Sequence, residues 1–291
     1  MNDISHFFRN RMAEIRSTNI SLQLAHGWPG DSAILALNTH AAGLFVWAST
    51  ACRFIDGYDP RRNLDVVLFG GMSNKAQSAL DALYRTALES AVKDMWDDES
   101  FRADFCSIIG TILIARNPIS DKTIDTLLSL ERPSLHIISR LGCVLHWSEM
   151  EPVRILHPSF ADYLSDRLRC GSDLWHIDTL LHNRLLAVHC ISHLNTVLRR
   201  NICDLTLTPT IVNEVLPQPI SYACTSWIDH VCTVIEEVDL VGDNLEQFLF
   251  RHLLHWLEVM SILKKSRTTI VSVRCLRDWL HVCGPISACE R

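Results

Sequence analysis

Apolar residues recur at helical spacing along nearly the whole chain. In "DISHFFRNRMAEIRS" (residues 3–17), Ile4, Phe7, Phe8, Met12 and Ile15 fall on one face of an amphipathic helix. "GWPGDSAILALNTHAAGLFVWASTACRFI" (27–55) opens with turn residues, takes Asp31 as its expected cap, and carries a helical pattern interrupted at Gly43. "DGYDPRRNLDVVLFGGMSNKA" (56–76) is rich in turn formers and reads as a connection, followed by the helix "AQSALDALYRTALESAV" (76–92).

From residue 98 the order of elements changes. "ESFRADFCSIIGTILIAR" reads as a buried helix, and "NPISDKTIDTLLSL" as a capped second helix. "ERPSLHIISRLGCVLHWSE" holds a third helix running into a short strand, "CVLHW"; "EPVRIL" is the return strand and "HPSFADYLSDR" the closing helix. Three helices, a two-stranded hairpin and a helix make a winged-helix unit. After "RCGSDLWHID" the chain is helical again, and "NLEQFLFRHLLHWLEVMSILKKS" is the strongest single segment. Its apolar positions Phe248, Leu249, Leu253, Leu254, Trp256, Leu257, Met260 and Leu263 cover more than one stripe, so this helix is expected between others. The expected fold is mainly α: a small helical domain (1–97), a winged-helix domain (98–172) and a C-terminal helical domain (173–291).

One junction stands out. In "VRILHPSFADYL" (153–164) a β-branched run meets a helix, with Pro158 where a first helical residue is favoured and His157 immediately before it. The imidazole faces a turn of unpaired backbone N–H groups, so it caps the turn or reads an anion held there.

Composition narrows the classes. The chain has 291 residues, 48% hydrophobic and 21% charged, enough for a large core and unlike a disordered segment. A net charge of −6 gives no general attraction to nucleic acid, and "SLHIISRLGCV" offers only Arg140 with flanking Arg132 as a recognition helix. No stretch is long enough to span a bilayer, and the charged N-terminus lacks a signal-peptide core. The eleven cysteines form no CxxC pair; Cys52, Cys106, Cys143, Cys190, Cys224 and Cys232 lie singly on apolar faces, as small hydrophobes do. A reduced, cytoplasmic setting is expected.

Candidate chemistry is sparse. "LDVVLFGGMSNKAQS" imitates a P-loop, but Asn74 stands where glycine must precede the lysine and Ala76 where a hydroxyl must follow. His189 and His193 share the i, i+4 spacing of two metal ligands without the HExxH glutamate, and His252 and His255 lie among packing residues, so no metal is expected. No GxSxG signature supports a triad, and the tryptophans fall mostly on apolar faces. No catalytic residue is assigned, and the chain alone is not expected to be an enzyme.

The set "HAAGLFVWASTACRFI", "LDALYRTALESA", "ISRLGCVLHWSEMEPVRILHPSFADYLSDRLRCG", "LLHNRLLAVHCISHLNTVLRRNICDL" and "FLFRHLLHWLEVMSIL" resembles, in order and over almost the whole chain, the region after the nucleotide-binding core in fungal NACHT proteins. These are signal-transducing NTPases of the STAND class, related to the NOD-like receptors. The resemblance implies a helical domain, a winged helix and a second helical domain that regulate the NTPase without catalysis. It implies that Gly43, Leu44 and Phe45 occupy the Gly-x-Pro-like turn against adenine, with Phe45 replacing the proline, and that His157 matches the histidine touching the β-phosphate of bound ADP. The family's P-loop and Mg²⁺-binding acid would precede residue 1. The chain then looks like the regulatory middle of a larger protein or a truncated product. No cofactor is implied for the chain alone; ADP or ATP would bind together with an N-terminal NTPase domain. The implied partners are that domain and C-terminal sensor repeats, with homo-oligomerisation left open. The rival reading is a helical adaptor that binds a protein partner and no nucleotide; a winged-helix DNA binder and a zinc hydrolase rank below it.

Overall fold

The computed structural model describes residues 3–69, 76–149, 151–171, 174–203 and 216–283. It is mainly helical, with one two-stranded sheet among the described residues, in agreement with the apolar spacing.

Helix α1 (Asp3–Thr18) buries Ile4, Phe8, Met12 and Ile15, the face its periodicity marks. Asp31 does not cap α2 (Asp31–Ala41): Gly30 holds the cap position, and the Asp31 carboxylate accepts instead from Arg9 at 2.7 Å. The helical pattern breaks at Gly43, whose φ of +84° is a conformation a Cβ would strain, and α3 (Phe45–Ile55) restarts from Leu44. The turn-rich stretch that follows contains a further helix, α4 (Pro60–Phe69). Its start is legible in retrospect: Asp59 accepts from the Arg62 N–H at 3.1 Å, Pro60 takes the first helical position, and Leu64 and Val67 are buried three residues apart. The imitation P-loop residues Gly70, Gly71, Asn74 and Lys75 lie outside the described residues. Helix α5 (Ala76–Val92) buries Leu80, Leu83, Tyr84, Ala87 and Leu88, a stripe at three- and four-residue spacing.

Next come α6 (Glu99–Ile114) and α7 (Asp121–Leu128), the latter capped by Ser120, whose side chain accepts from the Thr123 N–H at 3.2 Å. The third helix is shorter than its sequence suggests: α8 (Leu135–Ile138) passes at once into a 3-10 turn at Ser139–Leu141. β1 (Leu145–His146) and β2 (Arg154–Ile155) pair antiparallel, Leu145 opposite Ile155 and His146 opposite Arg154. Helix α9 (Pro158–Ser165) and the single turn α10 (Arg167–Cys170) follow.

The C-terminal part contains α11 (Thr179–Val197), α12 (Gln218–Val231), α13 (Asp239–Arg251), α14 (Leu253–Ile262) and α15 (Ser266–Val282). The strongest apolar segment is therefore two helices, broken at His252, where φ is −120° and ψ −4°. The break carries no Gly or Pro. It lets Phe248 and Trp256 both turn inward, where they meet Trp227 with ring centroids 4.8 and 5.7 Å away. The segment is not enclosed on all sides: Phe248, Trp256, Val259 and Met260 are buried, but Phe250 and Leu254 are 84% and 77% exposed.

Two compact units emerge. One comprises Met1–Ala103, Leu135–Glu149 and Arg154–His176; the other comprises Asp104–Ser134, Met150–Val153 and Ile177–Arg291. In the first, α1 packs on α2 and α3, α3 on α5, and α5 on α9. In the second, α11 is the central helix, packed on α12, α13 and α7. Within it, Gly110 of α6 lies so close to the His182 ring that a Cβ there would stand 2.5 Å from it. Cys52, Cys143, Cys170, Cys190, Cys203 and Cys224 are buried thiols, and burial raises the Cys52 and Cys143 pKa values to about 12. Among the described residues no helix is long and apolar enough to cross a membrane.

Candidate functional site

His157 is the cap of α9, in extended conformation with φ −150° and ψ 136°, and Pro158 follows at the first helical position. Its Nδ1 accepts from the Ser159 backbone N–H at 3.2 Å and lies 2.7 Å from Ser159 Oγ. Ser159 Oγ in turn lies 2.7 Å from the Tyr84 hydroxyl. These contacts fix a direction. A nitrogen that accepts from a backbone N–H carries no proton, so the neutral ring holds its hydrogen on Nε2. Tyr84 O–H then donates to Ser159 Oγ, and Ser159 O–H donates to Nδ1. His157 is exposed, so Nε2–H is a donor presented outward on a ring whose other nitrogen is locked.

The inner end of this chain is rigid. Tyr84 is 1% exposed and meets Phe160 edge-on and Tyr163 at a tilt, with ring centroids 5.2 and 5.6 Å away. Burial raises the Tyr84 pKa, and the Ser159 hydrogen bond partly opposes that. Tyr163 accepts from Trp175 Nε1 at 3.1 Å. Arg169 of α10 grips Asp81 of α5 at 2.5 Å, each side chain only 18% exposed, which fastens the α9–α10 segment to α5 a second time. That hydrogen bond raises the Arg169 pKa.

The Gly43–Leu44–Phe45 turn attaches to the same helix. Leu44 N–H donates to Ala41 O at 2.7 Å and caps α3; Phe45, the first helical residue, is 52% exposed and meets Phe7 edge-on at 5.9 Å. Two residues on, Trp47 Nε1 donates to the Ala79 carbonyl of α5 at 3.2 Å. Ala79 and Tyr84 are five residues apart on α5, about 7.5 Å along the helix axis at ~1.5 Å per residue. The turn and the histidine junction are thus anchored within about a turn and a half of one helix.

The histidine pairs behave as packing residues. Burial lowers the pKa of His189 and of His193, and His252 Nδ1 faces His255 Nδ1 at 3.4 Å. Among the described residues, no three His, Cys, Asp or Glu side chains converge to hold a metal ion. Trp47, Trp96, Trp175, Trp227, Trp256 and Trp279 are core residues.

Sequence reading missed a second polar chain, in the other unit. His230, wholly buried, lies between Asn183 Oδ1 (3.0 Å from Nδ1) and the Tyr222 hydroxyl (2.9 Å from Nε2). Arg116 closes the network: its backbone N–H donates to Tyr222 at 3.3 Å and its Nη2 to Asn183 Oδ1 at 3.3 Å. Burial, and then the Arg116 charge, lower the His230 pKa to about 3. The only sequence signal was a histidine on an apolar helix face, which does not reveal a partner 47 residues away.

No family profile and no solved structure matches the chain. It is 28% identical over 278 residues to the vegetative incompatibility protein HET-E-1 of Podospora anserina, an alignment covering 84% of this chain and 20% of that protein. The chain, which resembles a fungal family in its sequence segments, is thus similar over most of its length to a fungal vegetative incompatibility protein, of which it spans about a fifth.

Proposed function

We propose that this chain is a non-catalytic regulatory module of a NACHT-type signalling NTPase, closing over bound ADP and relaying the change when the nucleotide is exchanged. The observation that carries the reading is the outward Nε2–H of His157, held by Ser159 and Tyr84 as a hydrogen-bond donor on a fixed base. A terminal phosphate oxygen is a suitable acceptor for it, and the N-terminus of α9 favours the same charge. The Gly43–Phe45 turn supplies an exposed apolar surface, with Leu44 and Phe45 facing the adenine in this reading. In this reading a winged helix spans 98–172 between helical domains over 1–97 and 173–291, and the order α6, α7, α8, β1–β2 hairpin and α9 is the order it needs. The compact units instead group most of α6 and all of α7 with the C-terminal helices. The similarity to the vegetative incompatibility protein HET-E-1, of which the chain spans about a fifth, supports a signalling role as one part of a longer protein.

The coding sequence upstream of Met1 offers the first test: a P-loop in frame supports the module, and its absence contradicts it. The second test is ADP retention by this chain joined to that NTPase domain. His157→Ala is expected to weaken ADP binding and release spontaneous assembly; unchanged binding removes the latch. An adaptor without nucleotide has one observation in its favour, the exposed Leu240, Phe250, Leu254, Ile270 and Val271 on the C-terminal helices. A nucleotide-independent protein partner would cover these side chains.

A further inference from the structure

The first unit holds a cavity of about 580 Å³ lined by four arginines: Arg11 of α1, Arg53 of α3, Arg62 of α4 and Arg140 of the 3-10 turn. Two carboxylates, Asp56 and Asp59, also line it. Both are committed to the fold. Asp59 accepts from the Arg62 backbone N–H at 3.1 Å as the cap of α4, and Asp56 pairs with Arg11 at 3.8 Å and with Asn19 at 3.5 Å. Two of the four cations are likewise engaged: Arg11 pairs with Glu14 and Asp56, and Arg140 donates to the His136 and Ala91 carbonyls at 3.1 and 3.4 Å. The guanidiniums of Arg53 and Arg62, both solvent-exposed, have no hydrogen-bond or ion-pair partner among the described residues. The cavity therefore keeps a positive surplus that fold stability does not explain, because like charges around one concavity repel.

The remaining surface fits a ligand. Tyr58 is fully exposed at the rim, and Ser90 and Ser139 bring hydroxyl donors. The volume lies inside the range of about 300–1,000 Å³ typical of small-molecule sites. A guanidinium fork matches phosphate oxygens two at a time, and two free forks match two phosphate groups. We infer that this cavity binds a small organic phosphate carrying at least two phosphate groups, held by Arg53 and Arg62. None of His157, Gly43, Leu44 and Phe45 lines it, so it is separate from the nucleotide edge described above and does not depend on that reading.

The test is calorimetric titration of the 291-residue chain with inorganic pyrophosphate at about 0.15 M salt, where non-specific surface attraction is screened. Saturable binding is expected, and Arg53→Gln with Arg62→Gln together should weaken it at least tenfold. Arg277→Gln, which removes a cation paired to Asp278 in the other unit, should leave affinity within about twofold. Hydrogen exchange on the unaltered chain gives a second readout that needs no variant: pyrophosphate should protect segments 53–62 and 139–143. The inference is overturned by absence of saturable binding, by equal affinity in the double variant, by protection confined to other segments, or by citrate binding as tightly as pyrophosphate.

Discussion

Acidification should unfold this protein through His230. The side chain is wholly buried, and its two nitrogens are already assigned. Asn183 Nδ2 donates to the Thr179 carbonyl at 2.8 Å, which leaves Oδ1 facing His230, so Nδ1 carries the hydrogen. Nε2 then accepts from Tyr222, whose oxygen also accepts from the Arg116 N–H. A proton arriving on Nε2 would place a cation in the core near Arg116 and leave the Tyr222 hydroxyl without an acceptor. The folded pKa is about 3, against an ordinary value of 6.5. The unfolded chain therefore takes up a proton near pH 6.5 that the folded chain refuses until about pH 3. The contribution is fully present above pH 6.5 and is lost progressively as the pH falls towards 3. The slope from this one group is about 1.4 kcal/mol per pH unit, so it removes roughly 3 kcal/mol by pH 4.5, a large share of a typical stability of about 5–15 kcal/mol. Burial lowers the pKa of His182, His189 and His193 in the same direction, so the parent's acid slope is shared. Urea unfolding between pH 7.5 and 4.5 on the parent and on His230→Gln isolates the term. The variant should start less stable and lose stability less steeply, by about one proton's slope. Equal slopes in the two proteins would refute the assignment of His230 as the buried neutral base.

Three shorter predictions follow from the packing and the chemistry. Trp256→Ala removes a 1% exposed ring and the donor to the Cys224 carbonyl, and should cost about 3–5 kcal/mol; a melting curve within error of the parent would contradict the aromatic core. Gly110→Ala drives a methyl into the His182 ring and should cost about 1–3 kcal/mol, with much of the loss recovered in Gly110→Ala/His182→Ala; a neutral single variant contradicts the close approach. The chain alone should hydrolyse neither ATP nor GTP, and turnover that follows the protein through a sizing column would sink the non-catalytic reading.

What the sequence revealed was mostly local. Twelve residues around His157 contain the strand, the cap, the proline and the apolar face, and the structure assembles them as read. Gly43 likewise announced its own turn. Two local readings failed because a competing contact decided them: Asp31 turned to Arg9, and the 244–266 segment broke at His252 so that two aromatics could reach Trp227. The stretch 56–76 looked like a connection because its turn formers are also the start signals of α4. Polar chains were out of reach altogether. Tyr84 and Ser159 are 75 residues apart, and the arginine cavity draws on four separate segments, so no spacing rule records either.

In the proposed module, closure over ADP depends on the reach of one imidazole. His157→Asn separates capping from phosphate contact, since asparagine caps a helix at least as well but does not extend an Nε2–H. The measurement is the ADP dissociation constant of the parent and the variant, each joined to the NTPase domain. Loss of one charge-assisted hydrogen bond, about 1.5–3 kcal/mol, predicts affinity reduced roughly ten- to hundredfold with little change in melting temperature. Unchanged ADP affinity in His157→Asn would contradict the latch and leave His157 as the cap of α9 alone.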